Sequence, residues 1–135
     1  MNDNASKWIA ALRSGEYAQA HHRLRRDDRY CCLGVACDLF HQSGGDGEWV
    51  THRGPGGVVM YSFETPRNRR ESARARIAKL PAEVRVWLGL ASDVGGYGVE
   101  GECLARLNDS GGRSLAEIAD IIDSEPDGLF DRTGA

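Results

Sequence analysis

The chain lacks any long apolar run. Nowhere do about 18 consecutive apolar residues occur, which is the length that a membrane-spanning helix needs. Residues 1–7 also lack the basic stretch, followed by an apolar stretch, that marks a secretion signal. We therefore expect a cytoplasmic protein with no membrane partner. Cysteines are few, and the adjacent pair Cys31 and Cys32 seldom forms a disulfide in proteins, so reduced thiols are favoured.

Sequence motifs for cofactors and metals are missing as well. The glycine-rich stretches at residues 44–57 and 95–101 contain neither a P-loop nor a dinucleotide-binding fingerprint. The cysteines do not have the short spacers of a zinc site, and the acidic C-terminal end lacks the glycine and the terminal glutamate of an EF-hand. We predict no cofactor and no metal site.

Charge of both signs is present, but it is unevenly distributed. The net charge is −3, yet ten of the seventeen basic residues lie in residues 23–29 and 67–79, and the C-terminal end is acidic. Such a distribution suits a protein-binding or phosphate-binding face. Nucleic-acid binding through the two arginine-rich segments is an alternative, which is weakened because no aromatic residues are interleaved with the arginines for base stacking.

The hydrophobic pattern predicts an α+β fold, a single compact α-rich domain of about five helices with a small β hairpin. Helices are expected near residues 5–14, 31–42, 71–79, 81–88 and 114–122, with a short helical turn at 102–108. Residues 49–51 and 58–63 are expected to pair as the strands of the hairpin.

The last helix and the tail have clear sequence signals. Ser114 and Glu117 match a capping box, which fixes the start of the last helix. Pro126 prevents a long continuation of that helix. We place the domain in residues 1–123 and expect residues 124–135 to form a loosely ordered C-terminal tail.

The residues most suited to chemistry are Cys31 and Cys32, at the predicted start of the second helix. A helix N-terminus lowers the pKa of a thiol, so either cysteine is a candidate nucleophile. His21 and His22 are the best-placed candidates for a general base, since a turn at residues 27–28 would fold them against the helix start. The alternative is a structural role. Cys32 falls on the apolar stripe of the helix and is expected in the core, whereas Cys31 lies beside the stripe and is free to face another group.

Candidates for contact with a ligand or partner are Arg25, Arg26, Tyr30, Asn108 and Asp109. Asn108 and Asp109 form a polar pair in a tight turn just before the capped helix. The structural alternative for this pair is that both side chains hold the turn through hydrogen bonds to the backbone.

Four segments carry a recognisable pattern. They read WIAALRSGEY at 8–17, YCCLGVACDL at 30–39, LPAEVRVWLGL at 80–90, and LARLNDSGGRSLAEIADII at 104–122. These segments resemble a family of small proteins encoded by tailed bacteriophages, prophages and actinobacteria. The resemblance implies a phage or prophage origin and no particular activity. Residues 44–57 and 66–79 fall where such proteins vary.

These observations favour a binding protein over an enzyme. We expect a phage or prophage accessory protein that binds a host or defence factor in the host cytoplasm, either a protein or a small nucleotide signal, without catalysis. One alternative is a cysteine-dependent hydrolase or transferase that uses Cys31 or Cys32. Nucleic-acid binding through the arginine-rich segments is the second alternative.

Overall fold

The computed structural model describes residues 1–131, which form six α-helices and seven short strands. The helices are α1 (Asp3–Arg13), α2 (Cys32–Gln42), α3 (Ala73–Ala78), α4 (Ala82–Leu88), α5 (Leu104–Asn108) and α6 (Leu115–Asp123). The strands are β1 (Ala18–Gln19), β2 (Arg25–Arg26), β3 (Arg29–Tyr30), β4 (Glu48–Arg53), β5 (Val59–Glu64), β6 (Gly96–Tyr97) and β7 (Glu102–Cys103). The predicted α+β class is confirmed, although these strands form three small sheets instead of one hairpin.

Local sequence signals set the ends of the helices. Asn2 caps α1, since its side chain accepts a hydrogen bond from the Ala5 N–H at 2.8 Å. The predicted capping box of α6 is confirmed: the Glu117 N–H donates to Ser114 Oγ at 3.1 Å, and the Ser114 N–H donates to Glu117 Oε1 at 3.0 Å. Gly89 ends α4 with a φ of 76°, a left-handed conformation that favours glycine.

The arginine-rich helix α3 is shorter than the pattern predicts. Residues 66–70 form turns, and the helix begins only after Ser72, whose side chain accepts a hydrogen bond from the Ala75 N–H at 3.2 Å. Lys79 already has extended backbone. The predicted helix over residues 71–79 is therefore wrong at both ends, because the serine cap starts the helix later and the chain turns toward Pro81 earlier.

Helix α2 is the centre of the hydrophobic core. Its residues from Cys32 to Cys37 are buried without a break, and Phe40 is buried as well. More of α2 is buried than the predicted apolar stripe, because α1, α4, α5 and β3 pack around several sides of this helix. The indole N–H of Trp8 in α1 donates a hydrogen bond to the Cys32 carbonyl at 2.9 Å, which ties the two helices together.

Gly34 allows the chain before β2 to pass directly over α2. A Cβ atom at this position would lie 1.8 Å from the carbonyl oxygen of Leu24. That oxygen accepts a hydrogen bond from the Cys31 N–H at 3.0 Å, and Leu24 is fully buried. The close approach requires a residue without a side chain.

The predicted β hairpin is confirmed. Strands β4 and β5 pair in antiparallel register from Glu48 opposite Glu64 to Arg53 opposite Val59. A short 3-10 turn at Pro55–Gly57 joins them. The strands extend one or two residues beyond most of the predicted ends.

A three-stranded sheet precedes α2, in the order β1-β3-β2. Strand β1 is parallel to β3, and β2 is antiparallel to β3 across a turn at Asp27 and Asp28. Strands of two residues carry no readable periodicity, which is why the sequence predicts only a turn here. The sheet positions residues 18–30 beside the start of α2.

The predicted loose tail is wrong as far as Asp131. Leu129 is fully buried, and its carbonyl accepts a hydrogen bond from the Ala91 N–H at 2.9 Å. Phe130 pairs with Leu90 in an isolated β-bridge, and the Asp131 N–H donates to the Gly89 carbonyl at 2.7 Å. Residues 132–135 lie outside the described part of the chain.

Candidate functional site

The thiol of Cys31 is buried and caps helix α2. Its Sγ accepts a hydrogen bond from the Gly34 N–H at 3.3 Å. Burial raises the pKa of this thiol to about 12, and the hydrogen bonds from the backbone only partly oppose that shift. The expectation that the helix start lowers the pKa of this thiol is wrong, because desolvation outweighs the helix end at a buried position.

Cys32 is a core residue, as its place on the helical stripe predicts. It is fully buried, and its Sγ lies 3.7 Å from the carbonyl oxygen of Leu104. Burial raises the pKa of the Cys32 thiol well above its ordinary value, and Cys37 behaves in the same way. All four cysteines are free thiols.

The two candidate histidines contact the turn after α5 and not the thiols. His21 Nδ1 lies 2.8 Å from the Asn108 carbonyl oxygen. The His22 N–H donates to Asp109 Oδ1 at 2.7 Å, and His22 Nδ1 lies 3.8 Å from Asp109 Oδ2. Within residues 1–131, no hydrogen bond joins either ring to Cys31 or Cys32. A nucleophile–base pair is therefore not assembled.

Asn108 connects three separate parts of the chain. It is fully buried, and its Oδ1 accepts from the Cys32 N–H at 3.1 Å and from Gln19 Nε2 at 2.9 Å. Its Nδ2 donates to the Ala20 carbonyl at 2.9 Å and to Asp109 Oδ1 at 2.8 Å. The expected local role of holding its own turn is only a small part of what Asn108 does.

A cavity of about 180 Å³ lies where these segments meet. We call it the motif cavity. It is lined by His22, Arg23, Cys31, Leu33, Ala78, Lys79, Val94, Ala105, Asn108 and Asp109. Candidates from both the catalytic and the ligand-binding predictions therefore share one cavity, which residue spacing alone does not indicate.

Arg25 and Tyr30 lie in a different place, which we call the aromatic–arginine surface and define by Tyr17, Arg25, Tyr30, Trp49 and Tyr61. The Arg25 guanidinium lies 4.5 Å from the ring centre of Tyr61, 5.1 Å from that of Tyr30 and 5.4 Å from that of Trp49. The Tyr17 and Tyr30 rings meet edge to face at 5.2 Å, and Tyr30 and Trp49 meet at 5.9 Å. All five side chains are half-buried.

Asp38 of helix α2 forms hydrogen bonds with two of the aromatic side chains of this surface. Its carboxylate accepts hydrogen bonds from the Tyr17 hydroxyl at 2.7 Å and from the Trp49 indole N–H at 3.2 Å. Burial, followed by the hydrogen bond to Asp38, raises the pKa of Tyr17, and burial also raises that of Tyr30. Both phenols therefore stay neutral near neutral pH, and the half-buried Asp38 carboxylate fixes the Tyr17 and Trp49 rings.

Arg26 belongs to a basic area beside the aromatic–arginine surface. It is exposed and lies directly opposite Arg29 across the β2–β3 pair. The second arginine-rich segment adjoins the first, because the Leu24 N–H donates to the Ile77 carbonyl of α3 at 2.8 Å. Two segments that are far apart in sequence thus form neighbouring parts of one surface.

A larger cavity of about 680 Å³ lies beside β6 and β7. Its charged lining residues are Glu102 and Asp127, and no lysine or arginine of the described chain lines it. Side-chain hydrogen bonds from Arg106, with a smaller contribution from the Cys103 N–H, lower the pKa of Glu102 to about 2. The lining of this cavity therefore offers no positively charged side chain of residues 1–131 to an anionic ligand.

The described residues contain no metal-binding group and no membrane-spanning helix. Across residues 1–131, histidine, cysteine and acidic side chains nowhere gather in threes at a distance suited to a metal ion. None of the helices described above combines the length and the apolar character required to cross a membrane.

The chain belongs to the family defined by the domain of unknown function DUF8296, whose profile matches residues 1–126. That match spans both the motif cavity and the aromatic–arginine surface. No curated protein and no solved structure is detectably similar to the chain.

Sequence reasoning missed Asp38, Trp49 and Tyr61. One signal for Asp38 was present: it is the only acidic residue of α2 and is flanked by apolar residues, so a polar partner is expected. Trp49 and Tyr61 carried no such signal, because their contact with Arg25 depends on how the hairpin packs against β2.

Proposed function

We propose that this protein is a phage or prophage accessory protein that acts by binding a host or defence protein, through the aromatic–arginine surface and without chemistry of its own. The observation that carries the proposal is the stacking of Arg25 among three aromatic rings. Tyrosine, tryptophan and arginine are the residues that dominate binding energy in protein interfaces.

Preorganisation supports this role. Asp38 fixes Tyr17 and Trp49, and the ring contacts then fix Arg25, so little side-chain entropy remains to be lost on binding. Exposed Arg26 and Arg29 lie beside the rings without a carboxylate partner among residues 1–131. The chemistry of the surface therefore suits a partner face that combines carboxylates with apolar groups.

A protein partner fits better than a small nucleotide signal. Pockets for small ligands typically enclose about 300–1,000 Å³. The motif cavity, at about 180 Å³, is smaller than this range, and the cavity of about 680 Å³ has no lysine or arginine of residues 1–131 in its lining to hold a phosphate. A further cavity of about 350 Å³ has Arg85 in its lining, but that guanidinium already donates to the Leu90 carbonyl at 3.2 Å.

The cysteine-enzyme alternative is less well supported. Nucleophilic catalysis requires a thiolate or a base that can generate one. Burial raises the pKa of Cys31, and its Sγ accepts a hydrogen bond from the Gly34 N–H, which favours a structural role for this thiol.

Nucleic-acid binding stays as a second candidate, because the structure places aromatic rings beside the arginines. The sequence argument against it was the lack of interleaved aromatics, yet Tyr30, Trp49 and Tyr61 surround Arg25 in space. Stacked rings with nearby arginines are the usual elements of single-strand binding.

The test is affinity capture from a bacterial host lysate with the wild type, Arg25→Gln and Arg74→Gln. Arg74 is an equally charged, exposed residue outside the surface and serves as the matched control. We expect one defined protein to be retained by the wild type and the control, and its affinity for Arg25→Gln to fall by about tenfold or more.

Two outcomes would contradict the proposal. One is that no protein is retained. The other is that Arg25→Gln retains the same protein as well as the wild type does. If nuclease treatment of the lysate abolishes capture and the association weakens steeply with salt, the nucleic-acid candidate replaces the protein partner.

A further inference from the structure

We propose that the motif cavity binds a small organic anion, namely a carboxylate or phosphate monoester carried on a short apolar body. This site is separate from the aromatic–arginine surface, and the inference does not depend on the proposed protein partner. Three properties of the cavity lead to it: unpaired positive charge at the lining, apolar walls, and a rigid frame.

Arg23 and Lys79 supply the charge. Both line the cavity, and neither has a carboxylate within ion-pair distance among residues 1–131. They come from different arginine-rich segments, which the hydrogen bond from Leu24 to Ile77 brings together. An anion is the ligand that two unpaired cations favour.

Asp109 is the one carboxylate in the lining, and it is already engaged. Its Oδ1 accepts hydrogen bonds from the His22 N–H at 2.7 Å and from Asn108 Nδ2 at 2.8 Å. Its Oδ2 lies 3.8 Å from His22 Nδ1. These contacts hold Asp109 against the His22 segment. Because Arg23 and Lys79 are both cationic and Asp109 is the single carboxylate of the lining, the three side chains together carry a net positive charge.

The apolar residues that line the cavity favour a ligand with a short apolar part. Leu33, Ala78, Val94 and Ala105 line the cavity together with the neutral thiol of Cys31. A water molecule occupies roughly 30 Å³ of liquid, so a volume of about 180 Å³ corresponds to about six waters. A ligand of the size of butyrate fills this space and buries its alkyl chain against the apolar side chains.

Hydrogen bonds between segments make the cavity rigid. The Cys31 N–H donates to the Leu24 carbonyl at 3.0 Å, the Ala105 N–H donates to the Val94 carbonyl at 3.2 Å, and Asn108 joins α5 to α2. A preformed cavity does not need to be ordered by its ligand, which favours binding even of a small molecule.

The experiment is an NMR titration of the full chain, following backbone amide signals. The probes are butyrate, butyl phosphate, butan-1-ol and inorganic phosphate. We expect butyrate or butyl phosphate to shift the amides of Ala78, Val94 and Ala105 saturably, with a Kd on the order of 1 mM. The tighter of the two identifies the head group. Butan-1-ol lacks the charge and inorganic phosphate lacks the apolar body, so both are expected to bind at least about fivefold more weakly.

Three variants locate the site. Lys79→Gln removes one cation at an exposed position, and Ala105→Val fills the cavity while keeping its charge; each is expected to weaken binding at least about fivefold. Arg74→Gln changes an exposed arginine of the same helix that does not line the cavity, and it is expected to bind as the wild type does. The spectra themselves report whether each variant is folded.

Every other result overturns the inference. If none of the probes binds, the cavity is not a ligand site. If butan-1-ol binds as tightly as butyrate, the negative charge of the ligand does not contribute to binding. If inorganic phosphate binds as tightly as butyrate, the apolar walls of the cavity do not contribute. If Ala105→Val and Lys79→Gln both bind like the wild type, the anion is held elsewhere.

Discussion

The motif cavity and the aromatic–arginine surface are built from neighbouring residues, yet they are held in different ways. Arg23 and Cys31 line the cavity, whereas Arg25 and Tyr30 belong to the surface. Around the cavity the buried amide of Asn108 bonds two backbone groups, the Cys32 N–H and the Ala20 carbonyl. At the surface, half-exposed rings stack on a cation above Asp38. Residues 23–31 therefore contribute both to a rigid interior cavity and to the half-exposed aromatic–arginine surface.

The substitution Asn108→Leu is expected to have the largest effect on the interior. The substitution keeps the volume but leaves the Cys32 N–H and the Ala20 carbonyl without their partner. We expect a loss of about 3–5 kcal/mol in the free energy of unfolding, because buried polar groups lose their hydrogen bonds. Urea denaturation measures it, and Ser110→Ala, in the same turn but exposed, is the control. A loss below about 1 kcal/mol would show that Asn108 is not the central connection.

Gly34→Ala tests the close packing of the chain at Leu24 against helix α2. The new Cβ would lie 1.8 Å from the Leu24 carbonyl oxygen, so the backbone before β2 must move. We expect destabilisation of about 3 kcal/mol, the upper end of the usual cost of overpacking. The midpoint of thermal unfolding is the readout. An unchanged midpoint would mean that this segment is not packed against α2 as described.

Arg25→Gln tests the surface, where the expected effect on stability is smaller than in the interior. A cation–π contact at a partly exposed site is worth about 0.5–1 kcal/mol, and Arg25 Nε also donates to the Asp27 carbonyl at 2.6 Å, so the free energy of unfolding should fall by about 1–2 kcal/mol. The proposed loss of partner binding is measured on the folded variant, which separates recognition from stability. If instead the variant loses as much stability as Asn108→Leu does, the surface is part of the core.

Thiol reactivity gives the smallest expected signal and tests the absence of chemistry at Cys31. With its pKa raised to about 12, Cys31 has little thiolate near neutral pH, and its reaction rate should rise with pH until about that value. Iodoacetamide at neutral pH, followed by peptide mass spectrometry, should label half-exposed Cys103 first. Labelling of Cys31 faster than free cysteine would restore the enzyme alternative.

Elements with a local signal could be predicted from the sequence, and contacts between distant segments could not. The capping box at Ser114 and Glu117 and the β4–β5 hairpin follow from short patterns. The burial of Cys31 does not, since it depends on the chain at Leu24 covering the start of α2. The tail shows the same limit, because its packing depends on hydrogen bonds to Gly89 and Ala91 and on the pairing of Phe130 with Leu90, which are distant in the sequence.

Several residues of the candidate site could be predicted from the sequence, but their positions relative to one another could not. Cys31, His22, Asn108 and Asp109 all line one cavity, and their hydrogen bonds join the backbone and side chains of separate segments. The surface around Arg25 required Trp49 and Tyr61, whose approach depends on how the hairpin packs.

The most direct test of the central claim is hydrogen–deuterium exchange of the chain with and without its captured partner. We expect the partner to slow exchange in residues 25–30 and 48–61, which carry the aromatic–arginine surface, and to leave exchange in residues 92–103 unchanged. Protection confined to residues 92–103, with no change in residues 25–30 and 48–61, would contradict that claim.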